Sequence, residues 1–159
     1  MSATPLMSML RKHAFVDEFL PEHIEILHSL AREVTFEKDQ VIFREGDDCH
    51  DFYLIVEGRV ALEMVEPDYV LRVQTLSAGD ELGWSAILMG RGKYFQARVL
   101  EPVKALSFDG PALFEACRQD RAFGFALMYR MLGVVSGRLQ AARLQIHDLY
   151  SPLAKRAGT

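Results

Sequence analysis

Apolar residues recur at helical spacing near both ends of the chain and run together or alternate in between. Residues 1–20 carry scattered apolar positions (Leu6, Met7, Leu10, Phe15, Phe19), which predicts a short helix and a connection. Pro21 opens a helical segment, a first-turn position where its missing N–H costs nothing. Ile24, Leu27 and Ala31, with Ile26 and Leu30 beside them, form its apolar face. After Arg32 the period changes. The run from Val34 to Asp48 reads as two short strands around the turn Glu37–Lys38–Asp39. Asp51 to Val65 reads as two β-rich runs joined as a hairpin at Glu57–Gly58. Tyr69 to Leu76 alternates, with Leu71, Val73 and Thr75 on one side and Arg72 and Gln74 on the other. Ser77–Asp80 is a turn, and Phe95 to Phe108 gives two more strands broken at Glu101–Pro102.

From Asp109, read as an N-cap with Pro111 in the first turn, the pattern is helical again. A long helix is expected from Ala122 to Tyr150, ended by Ser151–Pro152. Met128, Leu132, Val135, Leu139, Ala142, Ile146 and Leu149 are spaced alternately four and three apart. That is the 3.5-residue period of a coiled-coil seam. Arg138, Gln140, Arg143, Gln145 and Asp148 flank it. Fuller apolar coverage at Phe123–Val135 predicts that the first half docks on its own domain while the second half pairs with another copy. A homodimer is the expectation.

Several short strands at close intervals, with helices before and after, make the expected fold class mainly β: a β-jelly-roll followed by a long C-terminal helix. The chain divides into an N-terminal helical extension (1–20), a domain including the long helix (21–150) and a tail (151–159). With 159 residues, half of them hydrophobic and a quarter charged, the material suffices for one core. The formal charge of −4 argues against a protein that coats nucleic acid. No signal-peptide pattern and no run long enough for a membrane span are evident, so a cytoplasmic protein is expected. Cys49 and Cys117 lack metal-ligand spacing and read as reduced thiols.

Two separated segments carry a family likeness. In the first, Glu45, Gly46, Asp47, Phe52, Tyr53, Leu54, Ile55, Gly58, Val60 and Leu62 match. In the second, Gly79, Asp80, Gly83, Leu88, Ala97 and Leu100–Glu101–Pro102 match. In these residues and their order the sequence resembles the cyclic-nucleotide-binding domains of the catabolite-activator and protein-kinase regulatory-subunit superfamily. It is similar in particular to bacterial single-domain members without a helix-turn-helix. The matching glycines also have a physical reading: Gly46 and Gly58 sit where turns need positive φ, and the resemblance places Gly83 where backbone approaches a ligand.

The resemblance implies a phosphate-binding cassette at Gly79–Pro102. A short helix after Gly83 would present the amides of Ser85 and Ala86 to a small anion. A cation from the following loop would add a charge-assisted contact. The family Arg position falls on Lys93, followed by Tyr94, with Arg91 two residues upstream. Trp84 stands where the family has a ribose-binding Glu. Leu71 and Val73 would form an apolar wall, and the helix at Val135, Leu139, Ala142 and Ile146 would supply lid and dimer contacts.

Three readings follow. The domain binds cyclic AMP or cyclic GMP in a modified cassette and signals through its terminal helix to an unidentified protein partner. It binds another anionic small molecule. Or Trp84 plugs a degenerate cassette and the protein is a dimeric adaptor. Trp84 as an ordinary core residue is the plainer alternative, since large aromatics mostly serve burial.

A catalytic role is not expected. The acidic residues Asp39, Glu45, Asp47, Asp48 and Asp80 fall in turns, and Ser85 has no evident base. The five histidines show no His-x-His pair for a metal site and read as solvated or capping residues. No cofactor is required by this reading. Only nine residues follow Tyr150, too few for a DNA-reading module, so direct DNA binding is not expected.

Overall fold

The computed structural model describes residues 4–48, 50–87 and 95–157. Helix α1 (Pro5–Lys12) is capped by Thr4, whose hydroxyl accepts from the Met7 amide. A single 3-10 turn at Ala14–Val16 leads to α2 (Pro21–Leu30). Six strands follow: β1 (Ala31–Phe36), β2 (Val41–Phe43), β3 (Asp51–Val65), β4 (Val70–Ser77), β5 (Glu81–Leu82) and β6 (Gln96–Asp109). A 3-10 turn at Trp84–Ala86 precedes β6, and α3 (Gly110–Gln119) and α4 (Arg121–Ala157) complete the chain. All pairings are antiparallel, in the order β1-β6-β3-β4, with β2 on β6 and β5 on β3. This is the expected β-roll with flanking helices and a long terminal helix.

The two long strands explain why the expected breaks are absent. β3 runs through Glu57–Gly58, and β6 runs through Glu101–Pro102. They pair with one another on both sides of these points, with register shifts between Ile55 and Val60. Gly58 (φ 98°) lies against Pro102. The hairpin expected at Glu57–Gly58 is therefore a bulge in a continuous strand, packed against the kink of its neighbour. A bulge and a tight turn use the same residue for the same positive φ, so local sequence does not separate them.

Period-2 alternation on these strands feeds two cores. Phe52 and Leu54 of β3, with Leu106 and Phe108 of β6, join Leu10, Phe15, Leu27, Leu113, Phe123 and Leu127 under the helices. Tyr53 and Ile55, with Val103 and Ala105, join Phe43, Val60, Leu76 and Val99 inside the roll. A strand buried on both faces reads as a continuous apolar run, as Phe52–Val56 does.

α3 is capped as expected, the Asp109 carboxylate accepting from the Ala112 amide at 3.0 Å. α4 is longer than expected. It continues across Pro152 to Ala157, so residues 151–157 extend the helix instead of forming a separate tail. Proline removes one intrahelical hydrogen bond but does not oblige the helix to stop. The face α4 buries is Phe123, Leu127, Met131 and Val134. Leu132, Leu139, Ile146 and Leu149 of the expected seam are exposed in the single chain.

The acidic turn residues have structural work: Asp47 accepts from the Arg44 amide at 2.9 Å and Asp80 from the Ser77 amide at 2.8 Å. Two histidines depart from the expected solvated role, because His13 and His23 are buried. His13 does cap, its Nδ1 accepting from the Phe15 amide at 3.1 Å while Nε2 meets the Ile55 carbonyl at 3.0 Å. Among the described residues no helix is long and apolar enough to cross a membrane, and no cluster could hold a metal ion.

Candidate functional site

Between the open side of the roll and α4 lies a cavity of about 270 Å³. Phe43, Leu62, Val73, Gln74, Leu76 and Leu82 line it from the sheet. The Gly83–Ser85 turn and Phe95 line one side, and α4 closes over it with Val135, Arg138, Leu139, Ala141, Ala142 and Gln145. The lining is mainly apolar, with a few polar groups, the usual make-up of a small-molecule site.

Two side chains hold α4 across this space. Arg138 donates through Nη2 to the backbone carbonyl of Glu81, and Gln145 donates through Nε2 to that of Val73. Arg130, eight residues before Arg138 on the same helix, donates to the Phe15 carbonyl at 3.0 Å and to the Glu81 carboxylate at 3.4 Å. Its guanidinium also sits 5.2 Å from the centre of the Phe15 ring. Glu81 is thus the point on the roll to which α4 is tied, with Arg138 Nη2 4.0 Å from its carboxylate. Burial pushes the Glu81 carboxyl above its ordinary range, and the charges of Arg130 and Arg138 oppose that push. Burial likewise lowers Arg138, with Glu81 and Asp80 offsetting it. Arg138 Nη1 is buried and has no hydrogen-bond partner among the described residues.

The expected site residues gather unevenly. Gly83, Trp84, Ser85, Val73, Val135, Leu139 and Ala142 all line the cavity. Gly83 has φ 80°, as the close turn requires. Ala86 lies just behind the turn and is buried; its amide already donates to the Gly83 carbonyl at 3.0 Å. That amide closes the 3-10 turn, whereas an α-helical start would have left it facing a ligand. Leu71 is exposed and does not line the cavity. A register shift between Leu62 and Glu63 on β3 changes the parity of β4, so Val73, Gln74 and Leu76 face inward together. Ile146 is exposed and stands outside the lining. Arg91, Lys93 and Tyr94 lie outside the described residues.

Trp84 is half-buried, packs against the helical core and forms wall in two cavities. The second is lined by Trp84 with Ile87, Met128, Met131, Leu132 and Val135. The indole narrows the first cavity without filling it. Glu81 and Arg138 are the functional candidates that sequence reasoning missed. Arg138 flanks the heptad seam, where an arginine reads as a solvated charge, and Glu81 sits in a two-residue strand beside a turn. The available signal was that Arg130 and Arg138 share a helix face, and only the fold reveals what that face meets.

Comparison with known proteins bears on this architecture. A family model for the cyclic nucleotide-binding domain matches residues 33–120, more than half of the chain. A cAMP/cGMP-dependent 3',5'-cAMP/cGMP phosphodiesterase B of Dictyostelium discoideum is 26% identical over 105 residues, which covers 62% of this chain. This chain spans only 9% of that relative's length. Among solved structures, a candidate cyclic nucleotide-binding protein of Geobacter metallireducens superposes with a TM-score of 0.73 at 24% identity, covering 87% of this chain and 99% of its own. A cyclic nucleotide-binding domain from Methylobacillus flagellatus gives a TM-score of 0.75 at 18% identity, covering 92% and 81% respectively. At these identities the structural likeness speaks for the fold, and the family model speaks for membership. The chain belongs to the cyclic nucleotide-binding domain family.

Proposed function

We propose that this chain is a non-catalytic, cytoplasmic regulatory domain that binds a cyclic nucleotide, cyclic AMP or cyclic GMP, between its roll and α4. The observation that carries the reading is the cavity itself. It is bounded by the Gly83–Ser85 turn, Val73 and the helix positions Val135, Leu139 and Ala142, where the family's cassette and lid fall on this sequence. A ligand there touches both the sheet and α4. It therefore biases the position of α4 by whatever contacts differ between two placements of the helix. The exposed stripe Leu132, Leu139, Ile146 and Leu149 continues along α4, which supports pairing with a second copy and an output read by a protein partner. No cofactor enters this mechanism.

A second reading has its own observations. The Ala86 amide is engaged within the turn, and Trp84 occupies cavity wall. Both favour an anionic ligand other than a cyclic nucleotide, or an adaptor that binds none. Calorimetric titration with cyclic AMP and cyclic GMP to millimolar concentration separates the readings. Saturable binding of either is expected. No heat from either, on a folded protein, overturns the nucleotide reading.

A further inference from the structure

We infer that the cavity is a site for amphipathic anions, and that Arg138, carried on α4 and not on the roll, is the group that recognises the anion. The inference rests on the cavity being the ligand site, but not on the ligand being a nucleotide.

Most of the wall is apolar: Phe43, Leu62, Leu82, Trp84, Phe95 and Leu139 face it. Such a wall takes a hydrophobic body and cannot by itself orient it. Of the described residues lining the space, only Glu81 and Arg138 carry charge, and they touch each other. Their charges do not cancel neatly. Within ion-pair distance, two guanidiniums share the single Glu81 carboxylate, Arg130 at 3.4 Å and Arg138 at 4.0 Å. Asp80, whose carboxylate accepts from the Ser77 amide, adds its charge to the surroundings of Arg138. Arg138 commits Nη2 to the Glu81 carbonyl and leaves Nη1 buried without a partner among the described residues. A buried donor left unpaired is costly, and a guanidinium more so. An anion entering the cavity would meet the Arg138 guanidinium and accept from it, with Nη1 the donor that has no other partner among the described residues. The geometry also places recognition on the moving part. Because Arg138 belongs to α4, the ligand's charge would be read by the helix, while its apolar body rests on the sheet and on Trp84.

The test uses the full chain and a matched pair of fluorescent probes, anilinonaphthalene sulfonate and its uncharged parent phenylnaphthylamine. The native protein is expected to bind the sulfonate at least about tenfold more tightly, the gain from one charged hydrogen bond. Arg138→Gln should bring that preference close to unity while phenylnaphthylamine still binds, which also reports an intact cavity. Should that variant fail to fold, Arg138→Lys retains the charge without the fork and should give an intermediate preference. Equal affinity for the two probes, failure of both to bind, or a preference unchanged by these substitutions overturns the inference. Cyclic nucleotides then enter as competitors. Displacement of the sulfonate supports both proposals. No displacement leaves the anion site standing and defeats the nucleotide reading. Cyclic-nucleotide binding that is equal in native protein and Arg138→Gln does the reverse.

Discussion

The carbonyl oxygen of Pro102 lies 2.3 Å from where a Cβ on Gly58 would stand. Gly58 also has φ 98°. Gly58→Ala therefore combines backbone strain with overlap against rigid main chain, at the point where β3 and β6 kink together. A loss of about 3 kcal/mol or more is expected in urea unfolding. Gly46→Ala shares the positive φ (82°) but meets nothing within 4 Å, so it should cost only about 1–2 kcal/mol. Equal costs for the two substitutions would remove the packing role assigned to Gly58.

His13 should make the protein sensitive to mild acid. Burial lowers its pKa, against the raising effect of its backbone contact with Ile55. Its Nδ1 accepts from the Phe15 amide, a role open only to neutral imidazole. With the folded pKa below the unfolded value, the unfolded chain takes up the proton first as pH falls. The contribution is thus complete above about pH 6.5 and is lost progressively below it. Urea midpoints measured from pH 8 down to 5.5 should fall, and the slope should flatten in His13→Asn. An unchanged slope would assign the acid sensitivity elsewhere.

Glu63 is a buried carboxylate held by Arg98 through Nε at 3.0 Å and Nη2 at 2.9 Å, with Gln96 adding a third donor at 3.2 Å. These bonds, led by Arg98, hold its pKa below the usual range. Arg98→Met should cost about 2–3 kcal/mol at neutral pH, because it strands a buried charge. The deficit should shrink as acid protonates Glu63. Arg59→Met, which breaks an exposed pair with Glu101 at 3.5 Å, should cost less than about 1 kcal/mol.

The outer stripe of α4 bears on assembly. Ile146 and Leu149 are exposed and outside both cavities, and Phe125 and Tyr129 stack on the surface with ring centres 6.1 Å apart. Sedimentation equilibrium should show a dimer that Ile146→Glu with Leu149→Glu weakens by about two orders of magnitude or more. A native monomer at high micromolar concentration would overturn the pairing.

What the sequence made legible was local or periodic. Pro21 and Asp109 marked helix starts, and the run from Phe52 to Val56 marked a strand. What it concealed depends on the partner. Gly58 reads as a turn until β6 is laid beside it. The parity of Val73 and Gln74 depends on a slip opposite Leu62 and Glu63. A helix with apolar residues on several sides does not state which stripe its own domain will take, and α4 gives Phe123, Leu127, Met131 and Val134 to the core. The site showed the same limit. The turn at Gly83 was readable, whereas Arg138 becomes a site residue only once α4 crosses Glu81.

The chain's single tryptophan, Trp84, lines both cavities together with Val135. The molecule therefore carries one intrinsic reporter, set in the wall of the cavity under α4. Red-edge excitation, which spares the five tyrosines, isolates its emission. A ligand in the cavity under α4 should shift or quench that band in proportion to occupancy, with no dye attached. A compound that binds away from both cavities should leave the spectrum still. Screening for the physiological ligand thus reduces to watching the colour of one indole.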